Sequence, residues 1–307
     1  MIAPFDHPSA REVEAAGGKG ASLARMAALG LPVPPGFVVL ADALAETLRG
    51  CGADARLAQR LAGLQDAELA GAAEEARGLV HAAPLADGLE AALAEAYAGL
   101  GDDVPVAVRS SAVAEDSDAA SYAGQQDTFL HVRGAGRVTT RMRDCWASWF
   151  GERALYYRSR KGSLGDLRMA VVVQRMVEPD VAGVMFTVDP VSGRKDQMVV
   201  ESAFGLGESV VAGVVTPDHY VIARDGRLKA KAIAVQPYAV VRDPEGGTVE
   251  RVLDADEGGR QTLTEDDLRR LAELGRTLEE ALGGPQDVEW ALAGGELFLL
   301  QSRPVTT

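Results

Sequence analysis

Gln286-Asp287-Val288-Glu289-Trp290-Ala291-Leu292-Ala293-Gly294-Gly295-Glu296-Leu297-Phe298-Leu299-Leu300-Gln301-Ser302-Arg303-Pro304 is the most informative segment of the chain. Two apolar runs flank a pair of glycines, the pattern of a β-hairpin. On the outgoing run Asp287, Glu289 and Ala291 fall on one face, and Val288, Trp290 and Leu292 on the other. On the return Leu297, Leu299, Gln301 and Arg303 share one face, and Phe298, Leu300 and Ser302 the other. If both apolar sets face one core, Asp287, Glu289, Gln301 and Arg303 share the opposite face. Parity then demands an odd loop such as Gly294-Gly295-Glu296, and a two-residue Gly-Gly turn would misalign the faces. The expected register sets Glu289 opposite Gln301 and Asp287 opposite Arg303. Two hard oxygen ligands side by side, with a second carboxylate and an arginine one step along, suit Mg²⁺ bridging phosphate oxygens. The competing reading is an ordinary edge hairpin with a surface salt bridge.

Working outward, residues 264–282 read as a helix, and Gly205-Leu206-Gly207-Glu208 as a turn. The β-branched runs 169–174, 183–188 and 197–201 read as strands. Residues 138–160 read as one helix with a buried stripe of Met142, Trp146, Trp149, Phe150 and Tyr157. Its arginines Arg137, Arg141, Arg143, Arg153, Arg158 and Arg160 then form a solvated basic face. A strand over 104–109 enters a small-residue loop, 110–126, before a strand at 128–132. Loops that long are functional or disordered. Within it Glu115-Asp116-Ser117-Asp118 reads as a solvated turn. Residues 41–100 give two or three helices, broken at 50–52 and 81–84. A strand at 37–40 precedes them. A helix over 20–29 stops at Gly30 and Leu31-Pro32-Val33-Pro34-Pro35-Gly36. No repeat of fixed period is present, and the mixture is α+β.

The chain has 307 residues, enough for two modest lobes, and its 47% hydrophobic and 25% charged content is that of a globular protein. A net charge of -14 argues against nucleic acid, because a polyphosphate backbone needs a positive field. Cys51 and Cys145 form no CxxC pair, which argues against a disulfide framework or a zinc site. No basic leader and no apolar run of about 18 residues is seen, so a cytoplasmic protein without membrane attachment is expected.

Two further constellations suit anions. Gly17-Gly18-Lys19-Gly20-Ala21-Ser22 is not a Walker A loop, which has four spacer residues and Ser or Thr directly after the lysine. Its glycines still allow close backbone approach, and Lys19 at a helix start adds charge to the positive helix end. Arg109-Ser110-Ser111-Ala112 and Ser121-Tyr122-Ala123-Gly124-Gln125-Gln126-Asp127-Thr128 offer a guanidinium, hydroxyls and backbone N–H groups to a phosphate chain. Each alone is a weak signal.

Together these segments resemble the N-terminal nucleotide-binding domain of the phosphoenolpyruvate synthase, pyruvate phosphate dikinase and rifampin phosphotransferase family, an ATP-grasp fold. The motifs fall in order along nearly the whole chain. They include Gly17 to Leu23, Leu31 to Phe37, Val108 to Ala112 and Tyr122 to Thr128. Gly183-Val184-Met185-Phe186-Thr187-Val188-Asp189-Pro190, the turn Gly205 to Glu208, and the closing hairpin complete the set.

The resemblance implies two subdomains, 1–173 and 174–307, clamping ATP, with adenine against Gln174, Met176 and Val177. It implies that Lys19 and Arg109 bind phosphates and that Gly124, Gln125, Gln126 and Thr128 cover the triphosphate. Glu289 and Gln301 would hold Mg²⁺, Asp287 beside them would bind ATP, Arg303 would stabilise the transferring phosphoryl group, and Glu208 would lie near the ribose or the metal. In the family a histidine on a swivelling domain attacks ATP, AMP leaves, and the phosphate ends on a small-molecule acceptor. His7, His81, His131 and His219 do not stand in that histidine's setting and read as structural or surface residues. The expected role is an ATP-activating phosphotransferase component served by a phosphohistidine domain, either in trans or on missing C-terminal domains. Its alternatives are a self-sufficient ATP-grasp kinase or ligase, and a nucleotide-binding regulatory module without turnover.

Overall fold

The computed structural model describes residues 1–113, 127–244 and 247–305. The chain forms two compact units, Met1–Arg25 with Pro35–Met176, and Met26–Pro34 with Val177–Thr307. Among the described residues, no helix is long and apolar enough to cross a membrane.

In the first unit an antiparallel sheet has the order β1 (Ile2–Pro4), β2 (Gly36–Val39), β5 (Ala170–Arg175), β3 (Val106–Ser111), β4 (Thr128–Val132). Around it lie α1 (Val13–Ala28), α2 (Asp42–Gly50), α3 (Ala53–Leu61), α4 (Leu69–Ala82), α5 (Leu89–Ala98), α6 (Ala135–Ser148) and α7 (Glu152–Lys161). Val106 and Val108 of β3 and Val171 and Val173 of β5 are buried with Leu44, Leu57, Leu89 and Trp146 in one core. Burial of side chains of this size is worth about 1.5–3 kcal/mol each.

Three expectations are corrected here. The first helix starts at Val13, and Gly17 interrupts it at φ +69°, so Lys19 stands just past a kink. Residues 41–100 hold four α-helices, because the segment Ala62 to Glu68 also breaks the run. Residues 138–160 are two helices, α6 and α7, separated where Gly151 adopts extended backbone at the start of α7. Of the expected stripe, Met142, Trp146, Trp149 and Phe150 are buried and Tyr157 is half-buried, with Trp146 Nε1 donating to the Met169 carbonyl and Trp149 Nε1 to that of Asp166.

The arginines do not form a uniformly solvated face. Arg158 is fully buried, with its guanidinium 4.3 Å from the Trp149 ring centroid, and it donates to the carbonyls of Trp149, Ser163, Leu164 and Asp166. Arg143 donates to the Val80, His81 and Ala83 carbonyls at the end of α4. A planar cation with five donors can close several helix-end and loop carbonyls at once, which explains why arginine occupies these sites.

The second unit is built on an antiparallel sheet of order β13 (Glu296–Pro304), β12 (Gln286–Ala293), β6 (Val181–Phe186), β7 (Gln197–Phe204), β8 (Asp218–Ala223), β9 (Leu228–Ala232). A separate hairpin pairs β10 (Tyr238–Arg242) with β11 (Thr248–Val252). The short α8 (Glu208–Val211) and α9 (Ala255–Gly258) precede α10 (Glu265–Leu282), which opens on a Thr264–Asp267 capping box. Helix α10 packs on one sheet face. A Cβ at its Gly275 would lie 3.1 Å from Met185 Cε, so glycine permits the close approach. Along the outer edge, Leu299 N–H donates to the Pro32 carbonyl, so the proline-rich segment covers part of β13.

Candidate functional site

The closing hairpin reaches the expected register by an unexpected route. Ala293 pairs with Glu296, which leaves a two-residue turn of Gly294 at φ +56° and Gly295 at φ +82°. Only glycine enters this pair of left-handed conformations without strain. The odd loop is therefore wrong, and that turn alone would have scrambled the faces. A β-bulge corrects the parity. Trp290 pairs with Leu299, Glu289 pairs with Gln301, and Leu300 is the extra residue between them. Past the bulge Asp287 faces Arg303 and Val288 faces Ser302.

The buried face is consequently Val288, Trp290, Leu297, Leu299 and Ser302, with Ser302 Oγ donating to Gln286 Oε1. The other face carries Asp287, Glu289, Gln301 and Arg303. Arg303 donates through Nε to Asp287 Oδ2 at 2.8 Å, and its Nη2 lies at the same distance from that oxygen. The Asp287 side chain is 12% exposed and that of Arg303 is 56% exposed, so a sheltered carboxylate fixes a guanidinium that still faces outward.

In the first unit, Ser111 ties the glycine-rich segment to the end of β3. Its Oγ donates to the Ala16 carbonyl at 2.8 Å and accepts from Gly20 N–H at 3.1 Å, while Gly18 N–H donates to the Ala112 carbonyl. A Cβ on Gly17 would lie 2.2 Å from the Ser111 carbonyl oxygen, so no other residue fits this crossing. Lys19 is thereby carried to the strand that bears Arg109, and Arg109 pairs with Thr128 on β4. Directly paired residues point to the same side, so Arg109 and Thr128 share a face. Gly124, Gln125, Gln126 and the acidic stretch Glu115 to Asp118 lie outside the described residues.

Asp127 and Phe129 alternate to the other side of β4 from Thr128. There they line a cavity of about 620 Å³ with Arg77, His81, Arg141 and Asp144. Burial, and then the neighbouring Asp144, push the Asp127 carboxyl above its ordinary range. Lys19 and Arg109 are not among the residues that line this cavity.

Gln174 is buried at the end of β5, and Met176 N–H donates to the Pro105 carbonyl. Val177 opens the longer segment of the second unit. Glu208 is exposed at the first position of α8. The turn before it depends on glycine at Gly205, whose φ is +77° and where a Cβ would lie 2.2 Å from the Val240 carbonyl oxygen. Sequence reasoning passed over Glu201 and set His219 aside, yet Glu201 Oε1 and His219 Nδ1 lie 3.4 Å apart across β7 and β8. Strand parity of the kind applied to the last hairpin would have found Glu201, but the pairing of β7 with β6 and β8 is not written in any local signal.

A metal at the hairpin would have hard donors, the Glu289 carboxylate and the Gln301 amide oxygen, paired across two strands. Among the described residues no group of three or more His, Cys, Asp or Glu side chains could hold a metal. A two-donor site of this kind suits Mg²⁺, which keeps waters and takes its remaining ligands from phosphate oxygens.

Comparison with known proteins places the chain in a family. Residues 13–307 match the pyruvate phosphate dikinase AMP/ATP-binding domain. A probable phosphoenolpyruvate synthase of Methanocaldococcus jannaschii is 42% identical over all of this chain and 27% of its own length. A rifampicin phosphotransferase of Streptomyces sviceus is 41% identical over 96% of this chain and 35% of its own. The phosphoenolpyruvate synthase of Pyrococcus furiosus is 34% identical over 99% and 43% respectively. The chain thus spans less than half the length of each of these relatives.

Proposed function

The chain belongs to the family of the pyruvate phosphate dikinase AMP/ATP-binding domain, whose fold is of the ATP-grasp type, and from that premise we propose that it activates ATP for phosphoryl transfer. In this reading it cleaves MgATP and passes a phosphoryl or pyrophosphoryl group to a histidine on a swivelling domain outside these residues. From there the group reaches a small-molecule acceptor. Residues 1–173 would supply the phosphate loops and residues 174–307 the base-binding stretch and the hairpin. Two free cysteines are in keeping with a cytoplasmic setting.

The observation that carries this reading is the bulged hairpin, which assembles Asp287, Glu289, Gln301 and Arg303 on one face despite a turn that would scatter them. Glu289 and Gln301 would hold Mg²⁺, which when bound neutralises phosphate charge and orients the β- and γ-oxygens. Asp287 fixes the Arg303 guanidinium before ATP arrives, so its remaining donors meet the charge that develops on the transferring group without reorganisation. Lys19 and Arg109 hold the phosphates, Thr128 with Gly124, Gln125 and Gln126 covers them, and Gln174, Met176 and Val177 serve the base. Glu208 serves the ribose or the metal.

The test is to identify the nucleotide released from MgATP. AMP formed only when a histidine-domain protein is added is the expected result. ADP formed by the chain with a small-molecule acceptor alone would replace this reading with a self-sufficient kinase, and binding without any release would make it a regulatory module.

A further inference from the structure

One polar row on the second unit's sheet extends well past the hairpin. Register sets Gln301 opposite Glu289, Glu289 opposite Val184, Val184 opposite Glu201, and Glu201 opposite His219. Directly opposite residues point to the same side, so these five form a single row across β13, β12, β6, β7 and β8. All five are half-buried. The next row, Ser302, Val288, Met185, Val200 and Tyr220, faces the other way and is buried throughout. The row therefore belongs to the face that carries Asp287 and Arg303.

Glu289 and Glu201 stand two strands apart, a separation of about 10 Å. One ion cannot serve both, since Mg²⁺ sits about 2 Å from its ligands. A single ligand that touches both must be extended. The partner of Glu201 in the row is His219, 3.4 Å away, and no arginine or lysine stands beside it there, so a phosphate above this carboxylate would be repelled. The part of the ligand that meets Glu201 is therefore neutral and donates hydrogen bonds. For a nucleotide whose phosphates lie at Glu289, Gln301 and Arg303, that part is the ribose. Its two hydroxyls can donate to the two oxygens of one carboxylate, as an acidic side chain does at the ribose of dinucleotide-binding folds.

We propose that Glu201, oriented by His219, binds the ribose hydroxyls of the nucleotide and sets the preference for ribonucleotides. The inference rests on the reading of this domain as a nucleotide-binding one. Calorimetric titration of the whole chain with the Mg²⁺ complexes of ATP, 2′-deoxyATP, 3′-deoxyATP and ITP tests it. The wild type should bind ATP about tenfold or more tighter than the deoxy analogues, the range expected for hydrogen bonds to a charged group. Glu201→Ala should bring that ratio close to one by weakening ATP alone, with the Mg²⁺ titration unchanged. Glu201→Gln, of nearly the same shape, should fall between. His219→Ala should lose part of the ratio and His219→Gln, which keeps a donor, should recover it.

An undiminished ATP to deoxyATP ratio in Glu201→Ala, with normal MgATP binding, overturns the inference and leaves the domain's function standing. A change confined to the ATP to ITP ratio overturns it in favour of contact with the base. A wild type that binds no nucleotide in the presence of Mg²⁺ overturns both.

Discussion

Leu300 is the residue on which the geometry of the hairpin turns, and removing it gives a result that counting alone would not suggest. Between Glu289 and the Gly294-Gly295 turn lie Trp290, Ala291, Leu292 and Ala293. Between the turn and Gln301 lie Glu296, Leu297, Phe298, Leu299 and Leu300. Deleting one leucine of the Leu299-Leu300 pair leaves four residues on each arm, so a regular ladder still sets Glu289 opposite Gln301 and Asp287 opposite Arg303. The loss is one half-buried leucine, about 1 kcal/mol when full burial is worth about 1.5–3 kcal/mol.

Deleting both leucines leaves three residues on the return arm. Gln301 would then face Trp290 on the buried side, in the place of Leu299, and Ser302 would face Glu289. Losing a fully buried leucine costs about 2–5 kcal/mol, and an unsatisfied buried amide adds about 1–3 kcal/mol. Urea unfolding followed by MgATP titration should show the single deletion stable to within about 1 kcal/mol and still Mg²⁺-dependent. The double deletion should lose several kcal/mol by the same sum and lose the metal response. A folded single deletion without metal-dependent binding, or a double deletion that retains it, would refute the parity argument.

Other consequences follow from named contacts. Gly17→Ala forces a Cβ against the Ser111 carbonyl at a left-handed φ, at a cost of about 1–3 kcal/mol for the conformation alone. It should lower Tm and weaken ATP binding together, and an unchanged Tm would contradict the crossing. Arg158→Met takes a fully buried guanidinium away from four carbonyls and should cost at least about 3 kcal/mol. Any nucleotide affinity of the folded fraction should survive, which chemical denaturation paired with binding separates. Because the Asp127 carboxyl is raised by burial, the folded state holds its proton more tightly than the unfolded one. Its contribution is therefore present below the ordinary carboxylate range and lost as pH rises through the raised value. Asp127→Asn should gain stability near neutral pH and little in acid, and an equal effect at both would be inconsistent with that shift. Arg303→Ala should abolish turnover while changing ATP affinity little; the opposite split would make Arg303 a ground-state clamp.

The sequence alone settled the α+β composition, the alternation along the strands and the ordered motifs that mark the family, because these rest on local stereochemistry and residue spacing, but not the helix boundaries, since the first helix opens at Val13 and residues 138–160 divide in two. It also determined which four hairpin side chains share a face, since burying Trp290 and Leu299 leaves little other choice. Tertiary structure decided how that outcome is reached. A Gly-Gly turn is the tighter solution for two twisted strands, and a bulge at Leu300 absorbs the residue that parity leaves over. Local signals gave Arg158 to solvent, and only the packing of α7 against the 163–166 segment and the end of α6 shows the four carbonyls that take its donors. Glu201 and His219 stand eighteen residues apart and meet because β7 pairs with β8. Strand order across a sheet is a property of the whole unit that no single segment encodes.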